Sequence, residues 1–116
     1  MVSQIVLHKF ALAGLLHDAS EAYLTDIASP IKHELLDYQE LENTLMLAIS
    51  QRYHFDYDYR EVKYADLVML ATERRDLMNP CELDWFPMPP PLEEKLIPWP
   101  WDIAEFLFLR RFYELI

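Results

Sequence analysis

An all-α fold is the expectation for this 116-residue chain, and three observations lead to it. Glycine occurs once, at Gly14, so the tight turns that β-hairpins use are nearly absent. Apolar residues recur at three- and four-residue spacing over long stretches. Prolines punctuate those stretches, with Pro30 alone early and the other seven between positions 80 and 100. At 53% hydrophobic residues the chain can build one domain, residues 1–116, around a modest core.

The elements follow in order. Val2 to Leu7 is a short apolar piece leading into a helix from Lys9 to about Tyr23. Its segment Phe10-Ala11-Leu12-Ala13-Gly14-Leu15-Leu16 carries small residues at several positions, which predicts a buried helix packed closely against its neighbours. Thr25 to Pro30 reads as a loop, with Ser29 as N-cap and Pro30 in the first turn of the next helix. That helix is expected from Ile31 to about Tyr53, its apolar stripe formed by Leu35, Leu36, Leu41, Leu45, Ala48 and Ile49. His54 to Tyr59 has no period and reads as a loop. Arg60 to Met78 resumes helical spacing through Val62, Ala65, Val68, Met69, Ala71 and Thr72, and Asn79-Pro80 stops it. From Cys81 to Pro100 the prolines and Trp85, Phe86 and Trp99 predict an ordered strap laid over the helices. Trp101 to Ile116 closes the chain as a helix with Ile103, Phe106, Leu107, Leu109 and Tyr113 on its apolar face. About five helices and a strap result.

Composition narrows the function classes. Twenty acidic against ten basic side chains give a net charge of -10, so the average surface repels a nucleic-acid backbone and duplex binding is not expected. No apolar run approaches the roughly 18 to 20 residues needed to cross a bilayer, and no leader pattern opens the chain. The single Cys81 cannot form an internal disulfide and offers no zinc pattern, so a reducing, cytoplasmic setting is expected.

The chemistry concentrates around His17-Asp18. An imidazole and a carboxylate side by side at the polar end of an apolar helix need a partner, and together they suit a divalent ion. Glu21 lies four residues after His17 and three after Asp18, so a continuous helix places its carboxylate on the same side. There it can accept or orient the proton of an attacking water. Mixed imidazole and carboxylate ligation favours manganese, cobalt, iron or zinc over calcium. A helix-end salt bridge is the plainer reading of His17-Asp18, and Lys63 or Arg74 offers Asp66 a plain ion-pair partner. Arg74 and Arg75 point about 100° apart on a helix, so one can face the acidic site while the other is solvated, but the cluster is expected to be structural.

The run from Leu15-Leu16-His17-Asp18-Ala19-Ser20-Glu21-Ala22 through Tyr23-Leu24-Thr25-Asp26-Ile27-Ala28-Ser29-Pro30-Ile31-Lys32, with the later Val62-Lys63-Tyr64-Ala65-Asp66, resembles the HD-domain metal-dependent phosphohydrolases. The likeness is to the 5'-deoxynucleotidase-like branch and its phage and bacterial relatives. It implies an HD-type helical bundle in which His17, Asp18 and Asp66 hold a divalent metal ion. It further implies that Glu21 acts on the attacking water, that Asp26 is a second carboxylate near the substrate, and that Lys32 contacts it. The implied activity is hydrolysis of a nucleotide phosphate ester, most simply a deoxynucleoside monophosphate, and dimerisation is common among such relatives.

Two departures qualify the resemblance. The family carries a first metal-binding His well upstream of the His-Asp pair, whereas Met1 to Val6 corresponds to the later part of that helix, so an N-terminally shortened domain is expected. His8 is a poor substitute, because nine residues of helix separate it from His17 by about 13 Å. Thr25 stands where the family has glycine. The alternative expectation is therefore a catalytically impaired binding or scaffold domain, or a fragment of a longer phosphohydrolase.

Overall fold

The computed structural model describes residues 1–83 and 85–116. Among them the chain forms six α-helices and no strand: α1 (Val2–Ile5), α2 (Ala11–Leu15), α3 (Ser29–Lys32), α4 (Leu36–Tyr53), α5 (Arg60–Asp76) and α6 (Trp101–Leu115). Two 3-10 turns, His8–Phe10 and Ala19–Ala22, complete the helical content. The all-α expectation is met, with the first half of the chain cut into shorter pieces than its periodicity predicts.

The core lies where α1, α2 and α5 meet. Val2, Phe10, Ala13, Val62, Ala65 and Met69 form it, and Val6, Phe55, Tyr59, Leu92 and Leu96 pack against it. The Phe10 and Tyr59 rings lie 4.5 Å apart between centroids, tilted by 51°. Close approach of α1 to α2 depends on Gly14: a Cβ there would sit 3.2 Å from Val2 Cγ1 and 3.3 Å from the Ser3 backbone. Ala11 and Ala13 are buried beside it, as the small-residue segment predicts. Arg111 ties α6 to the same place, donating to Ser3 Oγ and to the Ser3 carbonyl, each at 3.2 Å.

On α5 the apolar period is fully realised, since Val62, Ala65, Val68, Met69, Ala71 and Thr72 are all buried. Its last turns bind the proline-rich strap. Buried Thr72 accepts the Leu92 N–H at 3.0 Å, Asp76 accepts the Leu96 N–H at 2.7 Å, and Arg75 donates to the Leu92 and Glu94 carbonyls. Arg74 donates to the Leu83 carbonyl and stacks on the Trp85 ring at 4.6 Å. Both arginines thus serve a structural role at the strap, and Arg75 also pairs with Asp76 at 2.7 Å. The described residues of the strap lie on the helices as expected, held by side-chain hydrogen bonds to their backbone and by Leu92 and Leu96. Phe86, Trp99 and Trp101 stay exposed.

Three further expectations are corrected. The helix expected from Ile31 to Tyr53 is split at residues 33–35, and Ser29 is the first residue of α3, with Ala28 in the cap position and no side-chain cap bond. In α4, Leu36 and Leu41 are exposed, and the inward stripe is Glu42, Leu45, Met46, Ile49 and Ser50. Two polar residues on that stripe blur its apolar period. In α6 the side facing the protein carries Ala104, Leu107, Arg111, Phe112 and Leu115, while Ile103, Phe106, Leu109 and Tyr113 face outward. Apolar residues occupy both faces of that helix, so its spacing alone does not select the inner one. Among the described residues no helix is long and apolar enough to cross a membrane.

Candidate functional site

The helix expected to run through His17 ends before it. In an unbroken helix the Asp18 N–H would reach the Gly14 carbonyl. Instead His17 Nδ1 lies 3.0 Å from the Gly14 oxygen, so the side chain takes the acceptor that the next turn would need. Leu16 and Asp18 leave helical geometry, and the chain continues as the 3-10 turn Ala19–Ala22, with Glu21 N–H donating to the Asp18 carbonyl at 2.9 Å. Glu21 therefore does not share a helix with His17, contrary to expectation; a 3-10 turn packed on α4 carries it instead.

The same contact orients the imidazole. With Nδ1–H given to Gly14, Nε2 points the other way, between Asp18 Oδ2 at 3.0 Å and Asp66 Oδ1 at 3.3 Å. Asp66 comes from α5, so the chain folds to bring together three residues separated by 49 positions. Lys63 pairs with Asp58 instead of Asp66. Nε2 is buried, yet neither oxygen meets the geometry of a hydrogen bond from the ring. Burial opposes charge on the imidazole, but the two carboxylates outweigh it and push its pKa up to about 10. These three residues line a cleft of about 370 Å³ together with Leu15, Met69, Glu73 and Phe108. A larger cleft of about 700 Å³ lies between α5 and the strap, away from them.

Imidazole and carboxylate are groups that could hold a divalent cation. A ring nitrogen fixed by a backbone carbonyl at its other nitrogen is the usual support of a ligating histidine. Two donors about 2.1 Å from one ion, in adjacent positions, lie roughly 3 Å apart, which is the spacing of Nε2 from each carboxylate oxygen. Among the described residues no three His, Cys, Asp or Glu side chains converge as a ready-made centre, so an ion held here would need further ligands. His8, His33 and His54 are exposed and none of them joins the cluster.

Glu21, Asp26 and Lys32 form a neighbouring group within electrostatic reach of one another. Burial first, then Asp18 and Asp26, and also Glu42, push the Glu21 carboxyl above its ordinary value, while Lys32 pulls it back. Burial lowers the Lys32 ammonium, but Glu42 more than offsets this, with Tyr38 and Asp26 adding, so the net direction is upward. Glu42, on α4, accepts from Lys32 Nζ at 3.1 Å. Sequence reasoning missed Glu42, which shares the inward side of α4 with Leu45, Met46, Ile49 and Ser50.

Over 78 residues the chain is 47% identical to a protein of Escherichia coli (strain K12) called uncharacterized protein YfdR. The match takes in 66% of this chain and 44% of that protein, so the chain spans less than half the length of the relative. No family model matches the sequence, and no solved structure matches it.

Proposed function

We propose that this chain is a metal-dependent phosphohydrolase of the HD type, acting on nucleotide phosphate esters in the manner of the 5'-deoxynucleotidases. The observation that carries the reading is the convergence of His17 Nε2, turned outward by the Gly14 carbonyl, with Asp18 Oδ2 at 3.0 Å and Asp66 Oδ1 at 3.3 Å. In this reading His17, Asp18 and Asp66 hold manganese, cobalt, iron or zinc. Such an ion supplies Lewis acidity at a phosphoryl oxygen and makes water nucleophilic near neutral pH. Glu21 takes the proton of the attacking water, a role suited to a carboxyl whose proton affinity is raised by burial and by neighbouring acids. Asp26 orients the substrate. Lys32 offsets phosphate charge in surroundings that are otherwise acidic.

A second reading has one observation in its favour, the absence of a complete donor set among the described residues. In it the domain binds an ion or a nucleotide without turning it over. Phosphate release from a panel of nucleoside and deoxynucleoside mono- and triphosphates, with manganese or cobalt supplied and chelator as control, separates the two. Chelator-sensitive release that Asp18→Ala abolishes is the expected result. Ion binding without release from any member of the panel would favour the second reading.

A further inference from the structure

The start of α4 grips the segment that carries Asp26 and Lys32 at both ends. Tyr38 Oη donates to the Thr25 carbonyl, next to Asp26. Gln39 Nε2 donates to the Lys32 carbonyl at 2.7 Å. Glu42 accepts from Lys32 Nζ at 3.1 Å, with 24% of the lysine and 21% of the glutamate side chain exposed. Tyr38 and Glu42 are one helical turn apart and share a face, and the ammonium lies 5.8 Å from the Tyr38 ring centroid.

A lysine on a four-carbon stem spreads its charge over a wide volume unless something holds it. Of the three N–H donors on Nζ, Glu42 uses one. We infer that Glu42 is a positioning residue that fixes the Lys32 ammonium for a phosphate monoester, leaving its remaining donors to the phosphoryl oxygens beside Asp26. This inference rests on the phosphohydrolase reading and adds a residue to it. Glu42 itself touches no reacting atom. Its effect runs through Lys32, so it vanishes when Lys32 is removed, whereas a purely structural role of Glu42 would persist.

The test compares the intact chain with Glu42→Gln, Lys32→Met and the double variant, using a nucleoside monophosphate with Mn²⁺. Glu42→Gln is expected to raise KM about tenfold, because a neutral amide oxygen holds the ammonium more weakly than a carboxylate, with kcat within about twofold. The double variant is expected to match Lys32→Met. Calorimetry with inorganic phosphate on the Mn²⁺-loaded chain gives the same comparison without turnover, and Mn²⁺ affinity alone, expected to be unchanged, checks that each variant is folded. Phosphate affinity or KM that is unaltered or improved by Glu42→Gln overturns the inference, as does an undiminished loss in the Lys32→Met background. Failure of the wild-type chain to bind phosphate while binding Mn²⁺ also overturns it. Failure to bind Mn²⁺ overturns instead the reading on which it rests.

Discussion

Replacing Thr72 by valine isolates one hydrogen bond between α5 and the strap. Thr72 is 0% exposed, and its hydroxyl donates to the Val68 carbonyl at 2.7 Å while accepting the Leu92 N–H at 3.0 Å. Valine has nearly the same shape, so no cavity opens, and the Val68 carbonyl keeps its place in the helical ladder. The Leu92 N–H loses its partner at a cost of about 1–3 kcal/mol. Burying a methyl in place of the hydroxyl returns about 0.8 kcal/mol. The net loss is about 0.2–2 kcal/mol. With an unfolding entropy of roughly 2.1 cal/mol/K per residue, that lowers the melting temperature of a chain this size by about 1–9 °C. Thermal melts measure the shift, and hydrogen exchange at the Leu92 amide locates it. Thr72→Ser keeps the hydroxyl and should keep Leu92 protected. A Thr72→Val melting point within about 1 °C of wild type, with Leu92 exchange unchanged, would refute the assignment of strap anchoring to this bond.

Other perturbations have expected outcomes. Gly14→Ala should lower the denaturant midpoint, since strain against Val2 and the Ser3 backbone, about 1–3 kcal/mol, exceeds alanine's helix advantage of about 1 kcal/mol; a midpoint above wild type would contradict the close α1–α2 approach. Asp76 is held down to about 2 by Arg75 and then by the Leu96 N–H, so its contribution is present above an unfolded value near 3.8 and is lost as pH falls through about 2. Strap protection from exchange should therefore drop over that acid window, and Asp76→Asn should remove the pH dependence. Asp18→Ala should weaken Mn²⁺ binding by more than about a hundredfold, beyond the usual cost of losing an outer supporting group, as read by calorimetry.

Much of the fold was legible because helix period and scarcity of glycine are local properties. Six apolar or small positions of α5 were all placed correctly, since one face of that helix is buried along its length. The break after α2 was not legible, because it depends on the His17 ring capturing the Gly14 carbonyl. In α6, apolar residues on both faces leave the choice of inner face to Arg111 and its bonds with Ser3. At the site, the motif placed His17, Asp18 and Asp66 together without help from the fold. Tyr38, Gln39 and Glu42 escaped notice because they grip another segment through single side chains, an arrangement that carries no period.

Mn²⁺ calorimetry on the metal-free chain decides whether His17, Asp18 and Asp66 hold a divalent cation. Ligation needs the neutral imidazole, whereas the ring is protonated below a pKa of about 10. Binding at pH 7 should therefore release about one proton per ion, counted from the dependence of the heat on buffer ionisation, and affinity should rise about tenfold per pH unit up to that value. One site with that proton release is expected, greatly weakened in both Asp18→Ala and Asp66→Ala. No binding, or binding that both variants retain, would contradict it.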